Sequence, residues 1–107
     1  MCALEQDRFW EMHATIYANW NGENQGAFSD RRLRAFAEKT GLDMEAFDAC
    51  FDANKYKAEI QADFDIGNEL GVSGTPSVFV NNTIITPGYV PSYDAIQSAV
   101  EAAIAGG

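Results

Sequence analysis

The strongest structural signal in this chain lies in the segment Gly71-Val72-Ser73-Gly74-Thr75-Pro76-Ser77-Val78-Phe79-Val80-Asn81. Residues 77–80 are mostly β-branched or aromatic, and this composition predicts a short strand. A proline directly before a strand is unusual, because it cannot donate a hydrogen bond to the sheet. A cis Thr75–Pro76 bond would explain it, since the proline could then begin the strand at a tight turn, with Gly74 giving the backbone room. An ordinary trans turn is the alternative.

The residues after this segment predict a β-hairpin and a last helix. Asparagine tolerates the positive φ of tight turns, so Asn81 and Asn82 can connect the first strand to a second one at residues 83–86. Pro87 and Gly88 would end the hairpin. Pro91 can open the final helix, because a proline in the first turn needs no N–H group. The buried stripe predicted for that helix is Tyr93, Ile96, Val100 and Ile104.

The residues before the segment predict four helices, at about 3–19, about 29–40, a short one after residue 43, and about 54–70. Ser29 and Asp43 are suitable N-cap residues, and Leu42 and Phe47 are spaced for a hydrophobic staple around Asp43. Gly41 and Gly71 suit helix ends. The predicted buried stripes of the first and fourth helices are Phe9, Met12, His13, Ile16, Tyr17 and Trp20, and Tyr56, Ile60, Phe64 and Gly67.

The length and the net charge of the chain restrict the classes of protein to which it can belong. A chain of 107 residues predicts a single domain, with a helical subdomain at 1–71 and a ββα part at 72–107. Sixteen acidic against seven basic residues give a net charge of −9, which argues against nucleic-acid and anionic-membrane partners. No apolar run reaches the roughly 20 residues of a membrane span. No signal peptide is visible, which indicates a cytoplasmic or a truncated protein.

These features resemble the DsbA-like branch of the thioredoxin superfamily. The Gly-Val-x-Gly-Thr-Pro sequence before an apolar strand resembles that family's cis-proline loop. Residues 5–13 and 42–56 resemble parts of its inserted helical subdomain, and Pro87-Gly88-Tyr89 resembles the turn before its final helix. The resemblance covers essentially all 107 residues. It implies a truncated thioredoxin-like α/β fold with about four helices, a β-hairpin and a C-terminal helix.

The resemblance also implies a function, which is thiol–disulfide exchange in protein substrates. Gly74, Thr75 and Pro76 would form the docking loop, whose backbone aligns the substrate's cysteine strand. The family's Cys-x-x-Cys motif is absent from this sequence. We therefore expect no catalytic residue and no activity of the chain alone. The resemblance implies no cofactor, and an extracytoplasmic or periplasmic location for the bacterial parent family.

The two cysteines, Cys2 and Cys50, allow two interpretations. They can be unpaired buried residues or a structural disulfide between the first and third helices, and the residues alone do not decide. The oxidising compartment implied by the resemblance favours pairing. No metal site is expected, because His13 is the single histidine and no other ligands accompany it.

A non-catalytic alternative follows from the predicted hairpin. A two-stranded sheet is marginally stable alone, and strand 77–80 would have a bare edge that recruits another strand. The chain would then be an assembly module that forms a homodimer or pairs with a thioredoxin-type partner. A purely structural helical domain is a third alternative.

Overall fold

The structure, a computed structural model, describes residues 1–106. After a 3₁₀ turn at Leu4–Gln6, the elements in chain order are α1 Phe9–Ala18, α2 Asp30–Lys39, α3 Met44–Asp52, α4 Lys57–Glu69, β1 Val78–Val80, β2 Thr83–Ile85 and α5 Tyr93–Gly106. The fold class predicted from the sequence is confirmed. The chain forms two compact units, residues 1–61 and the part from Ala62 onward. The predicted division into 1–71 and 72–107 stays a prediction.

The buried core lies in the first unit, among the first three helices and the N-terminal segment. Helix α2 packs against both α1 and α3. The rings of Phe47 and Phe51 stack with their centroids 5.4 Å apart. The buried residues of this core are Ala3, Met12, Phe36, Ala37, Leu42 and Phe47.

Capping side chains set the starts of α2 and α3, as predicted. The Ser29 hydroxyl accepts a hydrogen bond from the Arg32 N–H at 3.4 Å, and the Asp43 carboxylate accepts one from the Ala46 N–H at 3.1 Å. These acceptors satisfy N–H groups that have no partner inside a helix. Leu42 and Phe47, on either side of this cap, are both buried, which confirms the hydrophobic staple.

Helices α2, α3 and α4 end in the same way, at a residue with left-handed backbone. These residues are Gly41, Asn54 and Gly71, with φ of 80°, 49° and 78°. At each end the left-handed residue and its successor donate backbone hydrogen bonds into the last turn, the pattern of a Schellman motif. Positive φ strains most side chains, so glycine and asparagine are the residues expected there.

The second unit contains the β-hairpin and α5. Strands β1 and β2 are antiparallel, with Val78 opposite Ile85 and Val80 opposite Thr83. Asn81 has φ of 54°, the positive value expected in this tight turn. Helix α5 packs against both strands. Its N-cap is Ser92, whose hydroxyl accepts from the Ala95 N–H at 3.1 Å.

The structure corrects three predicted helix starts. Asp7 has left-handed backbone and separates the 3₁₀ turn from α1, so the helix predicted from residue 3 begins at Phe9. Asn54 is likewise left-handed, and α4 begins at Lys57 rather than at residue 54. Pro91 lies just outside α5, because the neighbouring Ser92 is the cap.

The structure also corrects the predicted burial of three apolar stripes. Ile60 and Phe64 on α4, and Tyr93, Val100 and Ile104 on α5, are exposed rather than buried. In the stripe predicted for the first helix, Met12 is buried while His13, Tyr17 and, beyond the end of α1, Trp20 are exposed. Helical periodicity identifies an apolar face, but burial also requires a surface packed against that face.

The contrast between two phenylalanines gives a direct test of this core. Phe47 has 3 % of its surface exposed and Phe64 has 63 %. We expect Phe47→Ala to lower the free energy of unfolding by about 3–5 kcal/mol, because it leaves a cavity. The matched substitution Phe64→Ala should change it by less than about 0.5 kcal/mol. Urea denaturation followed by circular dichroism measures both, and equal losses would contradict the assigned core.

Candidate functional site

The predicted docking loop joins α4 to β1. The Thr75–Pro76 peptide bond is cis. The Ser77 hydroxyl donates a hydrogen bond to the Gly74 carbonyl at 2.5 Å and closes the loop around this bond. Gly74, Thr75 and Pro76 are all exposed. Because α4 ends at Gly71, the loop leads directly from the helix end to the strand.

A groove of about 250 Å³ separates the docking loop from the segment that leaves β2. Its walls are Gly71 with residues 73–77 on one side, and residues 84–90 on the other. The second wall turns sharply, because Thr86 and Gly88 have positive φ and the Tyr89 N–H donates to the Thr86 carbonyl at 3.1 Å. Tyr89, 77 % exposed, therefore lies at the open rim of the groove.

This second wall was missed by the sequence analysis, although the sequence carries a signal for it. No charged residue occurs from Leu70 to Tyr93, in a chain of which 21 % is charged. The uncharged stretch contains both walls of the groove. Isolated charges are expensive to desolvate, so an uncharged lining suits a surface that becomes covered by another polypeptide.

The groove is lined by uncharged side chains and backbone groups. The lining contains no thiol, histidine, carboxylate or amine, so its serine and threonine hydroxyls have no basic side chain within the lining to activate them. It offers backbone groups, hydroxyls and apolar side chains. Such a lining suits an extended peptide, which binds by main-chain hydrogen bonds and by side chains seated in shallow pockets.

The two cysteines form a disulfide, Cys2–Cys50, with Cα atoms 5.8 Å apart. The bond lies in the first compact unit, whereas the docking loop belongs to the second. Both cysteines of the sequence are used. The oxidised chain therefore has no free thiol.

Further contacts hold the N-terminal segment next to the disulfide. The Gln6 side-chain amide donates to the Asp43 carbonyl at 3.1 Å and accepts from the Asp43 N–H at 2.8 Å. Glu5 pairs with Lys55, and this hydrogen bond lowers the pKa of Glu5 and raises the pKa of Lys55. Together with the disulfide, these contacts attach residues 2–6 to α3 and its C-terminal end.

Two arginines of α2 make structural contacts. Arg34 pairs with Asp48 and Asp52. Arg32 donates hydrogen bonds to the carbonyls of Asn19 and Ala27, both at 2.9 Å, and these bonds hold the α1–α2 loop in place.

Within residues 1–106 no group of three His, Cys, Asp or Glu side chains is placed to hold a metal ion. None of the helices described is long and apolar enough to span a membrane.

Comparison with known proteins places this geometry in a family. The profile of the DSBA-like thioredoxin domain matches residues 1–101. The chain belongs to the DSBA-like thioredoxin domain family. The resemblance inferred from the docking loop and the helix order is thereby confirmed.

Two kinds of known protein match most of the chain, namely disulfide bond formation proteins D and Na(+)/H(+) antiporters. The probable disulfide bond formation protein D of Bacillus anthracis is 24 % identical over 99 residues, which are 91 % of this chain and 44 % of that protein. The disulfide bond formation protein D of Bacillus subtilis is 21 % identical over 103 residues. The Na(+)/H(+) antiporter NhaA 1 of Salinispora arenicola (strain CNS-205) is 33 % identical over 104 residues, 97 % of this chain and 15 % of the antiporter.

The chain therefore spans less than half the length of each of these relatives, 44 % and 46 % of the two disulfide bond formation proteins and 15 % of the antiporter. No solved structure matches the chain significantly.

Reduction of the disulfide should destabilise the protein. The bond joins residues 48 positions apart, and closing a loop of this size stabilises the folded state by about 4 kcal/mol in the chain-entropy description. We expect dithiothreitol to lower the thermal unfolding midpoint of the wild-type chain. The Cys2→Ser/Cys50→Ser variant should have the same low midpoint with and without reductant. An unchanged wild-type midpoint after complete reduction, verified by thiol titration, would contradict this role.

Proposed function

We propose that this chain is the substrate-docking part of a DsbA-like protein thiol–disulfide oxidoreductase and is inactive by itself. The observation that carries the proposal is the uncharged groove that lies beside Gly74, Thr75 and Pro76, in a chain of the DSBA-like family. The names of the Bacillus relatives, disulfide bond formation protein D, support the same class of reaction.

The proposed inactivity rests on the two cysteines. Disulfide exchange begins with attack by a thiolate, and an accessible, activated cysteine is needed to form it. Here Cys2 and Cys50 are bonded to each other, Cys50 is buried, and the sequence contains no Cys-x-x-Cys. A reactive cysteine pair must therefore come from another polypeptide segment for exchange to occur.

The proposed substrates are protein segments that contain a cysteine. Such a segment would lie extended along the docking loop at Gly74, Thr75 and Pro76, with uncharged side chains in the groove. We also propose an extracytoplasmic location, because disulfides such as Cys2–Cys50 persist in oxidising compartments.

Docking is testable without any redox chemistry. We expect an extended peptide of uncharged residues, with serine in place of its cysteine, to shift the amide NMR signals of residues 73–77 and 84–90 other than the prolines. Tyr89→Ala should weaken this binding, because the ring lies at the rim of the groove. The matched control is Tyr17→Ala, since Tyr17 is similarly exposed at 72 % but lies on α1. Shifts confined to other residues, or equal losses in both variants, would contradict the docking site.

A separate assay tests the proposed inactivity of the chain. In an insulin-reduction assay with dithiothreitol, the 107-residue chain should not accelerate insulin precipitation above the rate with dithiothreitol alone. Turnover that persists in the Cys2→Ser/Cys50→Ser variant would show that the site assignment is wrong. Turnover lost in that variant would instead assign the chemistry to the disulfide itself.

The alternative function is that of an assembly module. The sheet has only two strands among the residues described, so each strand has one edge without a strand partner. Such an edge can recruit a strand from a second copy, which would give a four-stranded sheet in a homodimer.

Sedimentation tests this alternative. The net charge of −9 opposes contact between copies, so strand pairing should strengthen as salt rises from about 0.05 M to about 0.5 M, where screening shortens the range of the repulsion. The amides of β1 should then exchange slowly with deuterium. A monomer at all salt concentrations, with rapid exchange of these amides, would exclude the homodimer.

A further inference from the structure

The loop between α1 and α2 contains Asn21-Gly22, which is the one Asn-Gly sequence in the chain. In such a pair the backbone nitrogen of the glycine can attack the side-chain amide of the asparagine, because glycine has no Cβ atom to hinder the approach. Position 21 is therefore the asparagine at which this reaction is least hindered. The asparagines followed by a residue with a side chain are Asn19, Asn24, Asn54, Asn68, Asn81 and Asn82.

Both reacting groups of the pair are accessible. Asn21 is exposed and Gly22 is half-buried. Among residues 1–106 the Gly22 N–H donates to no backbone carbonyl. The Asn21 side-chain amide donates to the Gln25 carbonyl at 3.4 Å, which is longer than a typical N–H···O hydrogen bond. Neither reacting group is therefore held in place by a short hydrogen bond.

Asn19, at the end of α1, shows the protected case. Its side-chain Nδ2 donates to the Thr15 carbonyl at 2.7 Å. The nitrogen that would have to attack it belongs to Trp20, and the Trp20 N–H donates to the Tyr17 carbonyl at 3.4 Å. Asn19 is also half-buried. These two asparagines differ in the next residue, in hydrogen bonding and in exposure, and each difference favours reaction at Asn21.

The glycine of the pair is required by the backbone of the loop. Gly22 has φ of 108°, a value that residues with a side chain rarely adopt. A Cβ atom at this position would lie 3.3 Å from Cγ of Gln25. A residue with a side chain, which would slow the attack on Asn21, is therefore strained here. The reactive sequence follows from the shape of the loop.

The two ends of the loop are held by contacts that do not involve the reacting atoms. The Arg32 guanidinium donates to the carbonyls of Asn19 and Ala27, both at 2.9 Å. Asn19 precedes the Asn-Gly pair and Ala27 follows it. A chemical change at Asn21 therefore removes neither of the hydrogen bonds that connect the loop to α2.

We propose that Asn21 is a site of spontaneous deamidation and that the product stays folded. The Gly22 nitrogen gives up its proton and forms a bond to Cγ of Asn21, and the side-chain nitrogen leaves as ammonia. Water then opens the resulting cyclic imide at either of its carbonyls. One opening gives aspartate, and the other gives isoaspartate, in which the main chain runs through Cγ. Each event replaces a neutral amide by a carboxylate, so the net charge becomes one unit more negative than −9.

The reaction is measured on the purified full chain in buffer alone, incubated at body temperature and mildly alkaline pH. After trypsin digestion, the peptide of residues 9–31 should gain one mass unit, with fragment ions that place the change at Asn21. Aspartate and isoaspartate should both be present, because isoaspartate forms only through the cyclic imide. No gain, or a gain at Asn19 or Asn24 instead, would overturn the proposal.

A synthetic peptide of residues 17–27 sets the timescale of this measurement. Its Asn21 has no folded surroundings, so its half-life is that of the sequence alone. We expect the folded chain to react at a rate within about tenfold of the peptide, because mobile loops open at little cost in free energy. A slower rate would show that the fold protects Asn21, and would contradict the proposed site.

Three variants locate the reaction and test the product. Asn21→Gln should abolish the mass gain, because the longer glutamine side chain forms a cyclic imide far more slowly. Asn24→Gly is the matched control, since glycine suits the positive φ of Asn24, and it should leave the rate unchanged. Asn21→Asp represents the aspartate product and should keep the unfolding midpoint of the wild-type chain. Equal loss of reaction in the first two variants, or a lower midpoint in the third, would overturn the proposal.

Discussion

Burial of apolar surface is the constraint on which the rest of this structure depends. The first compact unit satisfies it, because three helices and the N-terminal segment enclose Phe36, Ala37 and Phe47. In the second unit, Pro91 is the one buried residue among residues 62–106. Since hydrophobic burial is the main favourable contribution to folding, the hairpin and α5 depend on few contacts of their own. Their exposed side chains are the part of the molecule most suited to contact with other polypeptides.

The N-terminal segment shows how the first unit compensates for its small size. A domain of this length buries a limited share of its surface, and covalent or polar links then matter more. Cys2–Cys50 is the covalent link, and Gln6 adds two hydrogen bonds to the backbone of Asp43. The same Asp43 caps α3. Asp43 therefore contributes both to the attachment of the N-terminal segment, through Gln6, and to the start of α3, through its carboxylate.

The docking loop and its groove contain no cysteine. Their residues between Leu70 and Tyr93 have no charge, and the cysteines of the chain lie in the other compact unit. In a thiol–disulfide oxidoreductase the thiolate performs the exchange, whereas the surface beside it orients the substrate. This chain, a member of the DSBA-like family, has no free thiol, and the role proposed for its groove is the orienting one.

The sequence by itself determined the features that depend on neighbouring residues. The sequence predicted three kinds of local feature, because a cap or a turn is decided within a few residues of backbone. These are the caps Ser29 and Asp43, the helix ends Gly41 and Gly71, and the turn at Asn81. The breaks at Asp7 and Asn54 were missed, since both residues also occur inside helices.

Only the tertiary structure decided the features that join distant residues. The pairing of Cys2 with Cys50, the second groove wall at residues 84–90 and the exposure of Ile60 and Phe64 belong to this group. Periodicity shows that a helix has an apolar face, but which surface covers it depends on packing between elements far apart in the chain.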